Sequence, residues 1–297
     1  MNILVPIDGT EHSLRAVEFL TTRTDLLGEH PHITIFMAQM PVPQRVLAGV
    51  QPIAVDDFYK EEANTVFASA RALLGNSPLD VDMRYSVGMP ANDIVAEADR
   101  LDADLIIMGI RGHGPVNSFL FGSVSNAVLA HTHRPILMLK DKLPEGTKNL
   151  RVGLAVDGSE YSERAVDYVL SHRPLFGDTP RFELLNAGPV THPIGLSSMA
   201  SMMSSANACN DMLEFREKIL NSVMKPLLPK FNAVGLEPEV VRLDGNPGDE
   251  IAHYAETMPL DLLVMGSHGY GNFRSAVMGS TAMKIAAESS VPLLIIR

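Results

Sequence analysis

Short apolar runs recur along the chain, each closed by a turn signal. Residues 3–7 and 152–156 are apolar throughout and break at Asp8-Gly9-Thr10 and Asp157-Gly158-Ser159. Runs of this length without alternation suit strands buried on both faces. Thr10 and Ser159 stand where a hydroxyl caps a helix, one carrying Leu14, Val17 and Phe19, the other Ala165, Val166 and Val169. Strand patterns follow at 32–37 and 181–186, then longer helical patterns at 57–74 and 211–231. Third strands at 80–87 and 239–243 end in Gly88-Met89-Pro90 and Gly245-Asn246-Pro247, and helices are expected at 92–99 and 249–256. Fourth strands at 104–108 and 261–265 lead into glycine-rich loops, helices at 124–130 and 281–287, and last strands at 134–139 and 291–296. Strands alternating with helices imply right-handed crossovers and a parallel sheet covered on both faces.

The pattern is written twice. Residues 3–11 match 152–160, and the match extends to Ser13/Ser162, Arg15/Arg164, Ala16/Ala165 and Val17/Val166, all at an offset of 149. Residues 104–109 match 261–266, with Gly112, Gly114, Gly122, Ser123 and Pro135 answering to Gly269, Gly271, Gly279, Ser280 and Pro292, now at an offset of 157. The second copy therefore holds eight more residues, which the Ser/Met/Ala-rich stretch at 194–208 accommodates. That stretch reads as a partly helical insertion, or as a lid or partner surface, since methionine adapts to varied contacts. The polar, Pro- and Gly-containing segment near 141–149 reads as a linker between domains 1–140 and 150–297.

Length and charge narrow the function. The 297 residues suffice for two domains, each with its own core. The net charge is −11, so general nucleic-acid binding is not expected. One cysteine, Cys209, excludes an intramolecular disulfide and a cysteine-cluster zinc site. The N-terminal residues lack a basic region before Pro6 and Asp8, and no apolar run approaches 18 residues, so neither a signal peptide nor a membrane span is expected and a cytoplasmic location is.

The main chemical signal is Gly109-x-x-Gly112, nine residues, then Gly122-Ser123, repeated as Gly266-x-x-Gly269, nine residues, Gly279-Ser280. Glycines after a strand let a ligand approach the backbone, and a helix N-terminus with a hydroxyl suits phosphate. The competing reading is that they only shape a turn, and two copies with identical spacing weigh against it. Asp8 and Asp157, at the ends of the first strands, either accept hydrogen bonds from a ribose or base, or serve as turn residues before glycine; both roles are compatible. Neither a Walker loop nor a complete dinucleotide fingerprint is present, because no Gly-Lys pair occurs and Asn117 and Arg274 occupy the third glycine position. His131 and His133 read as a solvated pair rather than a metal site; His113 and His268, within the glycine loops, either approach phosphates or are solvent-exposed, and because the two copies do not share their positions exposure is the expectation.

These residues resemble the universal stress protein family in its tandem, nucleotide-binding form. The resemblance covers nearly the whole chain, once per copy, and rests on the glycine signature behind a strand ending in Met-Gly, on the opening at 3–9, and on the Gly-x-Pro before the third helix. It implies an α/β fold of two tandem Rossmann-like domains, each a five-stranded parallel sheet of order 3-2-1-4-5 with helices on both faces. It also implies ATP or a related adenine nucleotide, held with Mg²⁺. Carried over by motif, Pro6 and Asp8 would contact adenosine, Ala38 adenine, Met108 and Gly109 the ribose, and Gly112, Gly122, Ser123 and Val124 the phosphates. The second set would be Asp157, Ala187, Met265, Gly266, Gly269, Gly279, Ser280 and Thr281, with Ala155 replacing Pro6. The last strands would pair about a pseudo-twofold axis to form an intramolecular pseudo-dimer, and a protein partner of unknown identity and a further homodimer are open. The expected role is stress response through nucleotide-dependent binding. A slow ATPase or adenylating enzyme, and a nucleotide-free chaperone-like module, are the alternatives.

Overall fold

The computed structural model describes residues 1–24, 27, 31–43, 45, 52–110, 122–140, 143, 149–188, 206–269 and 278–297. In the first copy, β1 (Asn2–Pro6), β2 (His32–Gln39), β3 (Asp80–Val87), β4 (Leu105–Gly109) and β5 (Ile136–Leu139) alternate with α1 (Glu11–Thr21), α2 (Pro52–Leu74), α3 (Pro90–Arg100) and α4 (Ser123–His131). The second copy supplies β6 (Arg151–Ala155), β7 (Arg181–Gly188), β8 (Glu239–Asp244), β9 (Leu262–Gly266) and β10 (Leu293–Ile296), with α5 (Glu160–Ser171), α6 (Ala206–Ala233), α7 (Pro247–Thr257) and α8 (Ser280–Glu288). Thr10 and Ser159 cap α1 and α5, accepting from the backbone N–H of Ser13 and Ser162.

All ten strands form one sheet in the order β3-β2-β1-β4-β5-β10-β9-β6-β7-β8. Each half therefore carries the order 3-2-1-4-5, and its neighbours run parallel. The halves meet at β5 and β10, which pair antiparallel with Leu294 opposite Leu137. The last strands begin at Ile136 and Leu293, two residues later than the apolar pattern suggests. The preceding Pro135 and Pro292 have no N–H to give to a ladder. Their carbonyls accept instead from Ile106 and Leu263.

The expectation of one core per half is corrected. Two apolar clusters form, one on each face of the sheet, and each runs through the seam. One joins Val17, Phe67, Ile107 and Leu139 to Leu154, Phe176, Phe231 and Ile296. The other joins Ile94, Ile106, Val128 and Met138 to Ile251, Leu263, Ile285 and Ile295. The four-residue strands at the seam are buried on both faces, so neither half closes its core alone.

Helix α6 extends beyond the expected 211–231 at both ends and contains Pro226 and Pro229. Val223, Met224, Leu227 and Phe231 fall on one helical face and are buried, which outweighs the two missing donors. Helix α2 likewise begins at Pro52 rather than at 57. The insertion at 194–208 lies almost entirely outside the described residues, as does most of the segment at 141–149. Among the described residues no helix is long and apolar enough to cross a membrane.

Polar contacts cross the seam in matched pairs. Lys140, just after β5, donates from Nζ to the carbonyls of Ala286 (2.6 Å) and Ser289 at the end of α8. Arg297, just after β10, donates from Nε to the carbonyl of Thr132 (3.1 Å) at the end of α4. Each cation therefore sits at the negative pole of a helix from the other half. On the opposite face the Tyr168 hydroxyl donates to the carbonyl of Asp104 at 3.1 Å. The Arg23 guanidinium lies over Phe19 at 5.8 Å, with its charge toward Asp261.

Lys140→Met keeps the apolar stem and removes the donors. We expect it to lower unfolding free energy by about 1–3 kcal/mol, read as a lower urea midpoint at unchanged slope. An unchanged midpoint would show that the cross-seam cap carries no weight.

Candidate functional site

In each half the strand order reverses direction between the first and fourth strands, at β1/β4 and at β6/β9. The space beyond the carboxyl ends of the strands there is the usual ligand position in such sheets. In the second half it is a cavity of about 500 Å³. Ala155, Val156, Ala187, Pro247 and Ile251 give it an apolar lining, and Asp157, Gly266, Gly269, Gly279, Ser280 and Thr281 line it as well. All eight second-copy residues named from the sequence line this one cavity.

The first turn of α8 faces it. That turn has no acidic residue and no side-chain cap among the described residues, so its N–H groups and partial positive charge are open to an anion. Helix α4 begins the same way, at Ser123 and Val124 after Gly122. In the first half, Pro6 ends β1, Ala38 lies in β2 opposite Ser86, and Met108 and Gly109 end β4. Gly112 lies outside the described residues.

The turn reading of the aspartates is observed directly. Asp8 Oδ1 accepts from the Thr10 backbone N–H (3.0 Å) and hydroxyl (2.6 Å), and Asp157 Oδ1 accepts from the Ser159 N–H at 2.9 Å. These are turn contacts. The second oxygen of Asp157 faces the glycine loop: a Cβ placed on Gly269 would lie 2.5 Å from it. Burial pushes the Asp8 carboxyl up, but the Thr10 hydrogen bonds, with Ser13, outweigh it and hold it below its ordinary range.

The strand-end glycines have a structural cause that the sequence reading missed. A Cβ on Gly109 would collide with the carbonyl oxygen of His12, and one on Gly266 would lie 2.6 Å from Tyr161 Cβ. The short Asp-Gly turns bring the start of α1 and α5 directly onto the ends of β4 and β9, and only glycine fits beneath. The glycines before α4 and α8 differ from each other. Gly122 has φ +85° with open space around it, whereas Gly279 has φ −63°.

The reading of His268 as solvent-exposed is corrected. It is half-buried, lines the cavity, and packs against Tyr161 with ring centroids 5.3 Å apart. Ser267 and the α7 residues Pro247 and Ile251 also escaped the sequence reading, although the Gly-x-Pro turn before α7 was a usable signal. His131 and His133 are exposed. Among the described residues no group of three or more His, Cys, Asp or Glu side chains is placed to hold a metal ion.

Comparison with known proteins agrees with this architecture. The family model described as "Universal stress protein family" matches twice, at residues 1–140 and 148–297. Universal stress protein Slr1230 of Synechocystis is 22% identical over 317 residues, covering 100% of this chain and 99% of its own. A universal stress protein of Mycolicibacterium smegmatis is 23% identical, covering 99% and 96%. A shorter match, 34% identical over 82 residues, covers 28% of this chain and 49% of the stress response protein NhaX of Bacillus subtilis. Among solved structures, a universal stress protein from Archaeoglobus fulgidus superposes with a TM-score of 0.73 at 20% identity, over 100% of this chain and 98% of that one.

The glycine geometry predicts unequal costs in ligand-free protein. Gly109→Ala should lose about 3 kcal/mol or more through backbone overlap, Gly122→Ala about 1–2 kcal/mol through its left-handed φ, and Gly279→Ala less than about 0.5 kcal/mol. Equal losses in urea unfolding would refute this assignment. The lowered Asp8 value also fixes a sign. Its contribution is present above the ordinary carboxylate range and is lost as pH falls through the lowered value. The stability gap between wild type and Asp8→Asn should therefore narrow on acidification in that window, as followed by unfolding midpoints.

Proposed function

Because the chain belongs to the universal stress protein family, we propose that it binds an adenine nucleotide, ATP foremost, at the two crevices and acts through that binding rather than through rapid turnover. The observation that carries the reading is the second cavity, where an apolar wall and an open helix N-terminus face one ligand-sized space lined also by a carboxylate. A volume near 500 Å³ falls within the range of small-molecule sites. Ala155, Val156, Ala187 and Ile251 would take the base, Asp157 the ribose, with Met265 and Gly266 beside it. Gly269, Gly279, Ser280 and Thr281 would take the phosphates. In the first copy Pro6, Asp8, Ala38, Met108, Gly109, Gly112, Gly122, Ser123 and Val124 would serve in the same order.

The donor set suits Mg²⁺ only as a companion of the ligand. With no cluster of ligating side chains among the described residues, the ion would ride on the phosphates beside the hydroxyls of Ser280 and Thr281 and supply countercharge. That countercharge matters in a chain of net charge −11, whose long-range field repels an anion. The two copies, 1–140 and 150–297 about a linker at 141–149, would each carry one site.

The test is direct. Protein purified without added nucleotide is denatured and its released adenine nucleotide counted, then fresh protein is titrated calorimetrically with ATP, with and without a chelator. We expect about two nucleotides per chain at saturation, one per crevice, weaker binding without Mg²⁺, and loss of the second site in Asp157→Ala/Ser280→Ala. Protein that releases none and gives no binding heat would overturn the proposal.

A further inference from the structure

The second half carries a buried cation behind its cavity. Arg216, on α6, is 8% exposed. Its Nη1 donates to the side-chain oxygen of Asn186 at 2.7 Å. Its Nη2 donates to the carbonyls of Asn186 (3.0 Å) and Leu243 (3.3 Å). Asp244 supplies countercharge, with Oδ1 3.6 Å from Nε. Asn186 is itself buried and passes the link on, because its Nδ2 donates to the carbonyl of Val156 at 2.7 Å. One guanidinium thus holds the carboxyl ends of β7 and β8 directly and reaches the residue after β6 through Asn186. It also lies against Gly188, where a Cβ would be 3.3 Å from Arg216 Cζ.

The first half is built otherwise. At the 149-residue offset Met37 stands in place of Asn186 and Gln39 in place of Gly188. A methionine side chain has no donor to give to a strand-end carbonyl. The Gln39 Nε2 donates instead to the carbonyl of Tyr59 on α2 at 2.9 Å, and the Tyr59 hydroxyl accepts from the Val42 N–H at 2.6 Å. These contacts tie β2 to its helix through neutral groups.

The difference bears on what the second cavity offers a base. Ala155, Val156, Ala187, Pro247 and Ile251 line it with apolar side chains. Such side chains hold any purine in the same way. Telling one base edge from another falls to the main-chain N–H and C=O groups between them, and those groups must be held to within about 0.5 Å. Val156 is held by Asn186, and Ala187 follows Asn186 directly in β7.

We propose that Arg216 is a positioning residue that sets base discrimination at the second site. The proposal rests on the nucleotide reading above. Arg216 stands outside the cavity lining and acts through Asn186 on Val156 and Ala187. A buried ion pair adds little net stability, and what this one supplies is position. Without the guanidinium, Asn186 loses its orienting partner, the ends of β6 and β7 relax, and the main chain no longer meets one base edge better than another. The first site does not depend on this link.

Calorimetric titration of the full chain with ATP and with GTP, each with Mg²⁺, tests this. The second site is identified as the one lost in Asp157→Ala/Ser280→Ala. In wild type it should bind ATP about tenfold more tightly than GTP. Arg216→Ala should bring that ratio close to one, while the first site keeps its wild-type affinity and so reports that the shared sheet is intact. Guanidinium ion, added to Arg216→Ala below denaturing concentration, should restore the ratio. Asn186→Asp keeps an acceptor for Arg216 but sets an oxygen where the donor to the Val156 carbonyl stood, and it should show the same loss, so the test does not hang on one variant folding. A second site without base preference in wild type, or a preference unchanged in both variants, overturns this proposal and leaves the nucleotide reading standing. So do equal losses for ATP and GTP, or loss of the first site as well, which mark a merely structural role. No ATP binding in wild type overturns both readings.

Discussion

The antiparallel pairing of β5 with β10 is the constraint from which the rest of the architecture follows. A parallel α/β sheet ends in a strand with an unpaired edge, and such an edge must be covered. Here each half covers the other's. Because the pairing is antiparallel while each half is parallel, the two sets of strands run in opposite directions. The carboxyl ends of β4 and β9 therefore lie at opposite edges of the sheet, and so do the two crevices. The same pairing merges the apolar layers of both halves into two clusters. It also brings Lys140 and Arg297 to the carbonyl ends of α8 and α4. These are the helices whose other ends open on the crevices, so each crevice is supported by a helix anchored in the opposite half.

The crevices themselves arise from the brevity of one connection. Only a few residues separate β1 from α1 and β6 from α5, and Asp8 and Asp157 hold those turns with their own carboxylates. A helix launched so soon must pass over the neighbouring strand end, and Gly109 and Gly266 leave it room. The glycines that first look like ligand contacts are thus conditions for the crevice to exist. In the proposed reading, ligand chemistry falls instead to the N-termini of α4 and α8.

How much of this was legible in the chain depends on whether the signal was local. The strand and helix sequence was readable because apolar runs, caps and Gly-x-Pro turns act within a few residues. Thr10 and Ser159 cap as their positions suggest, and β3 spans 80–87 as its pattern does. The aspartates and glycines of the crevice were visible through repetition, and in the second half they converge on one cavity. The continuous cores were not legible, since nothing local distinguishes Leu137 facing its own half from Leu137 facing Leu294. What carries α6 through Pro226 and Pro229, inside the expected 211–231, is not local either, because burial of Leu227 and Phe231 is a tertiary gain. His268 was misread for the same reason: its neighbour Tyr161 is more than 100 residues away in sequence.

Duplication copies a backbone path more faithfully than it copies a reaction surface. The paired strands, the Asp-Gly turns and the packing glycines recur because each answers a steric demand that both halves share. Positions released from that demand have diverged. Gly122 and Gly279 occupy the same place before their helices with opposite signs of φ, and Ile110-Arg111 stands against Ser267-His268. The seam makes such divergence tolerable, because stability is shared across both halves through common cores and reciprocal helix anchors. A substitution that changes one crevice leaves the scaffold of the other intact. A tandem chain of this kind is therefore free to hold two sites of the same shape and different electrostatics, which two copies of a single-domain chain, identical by construction, are not.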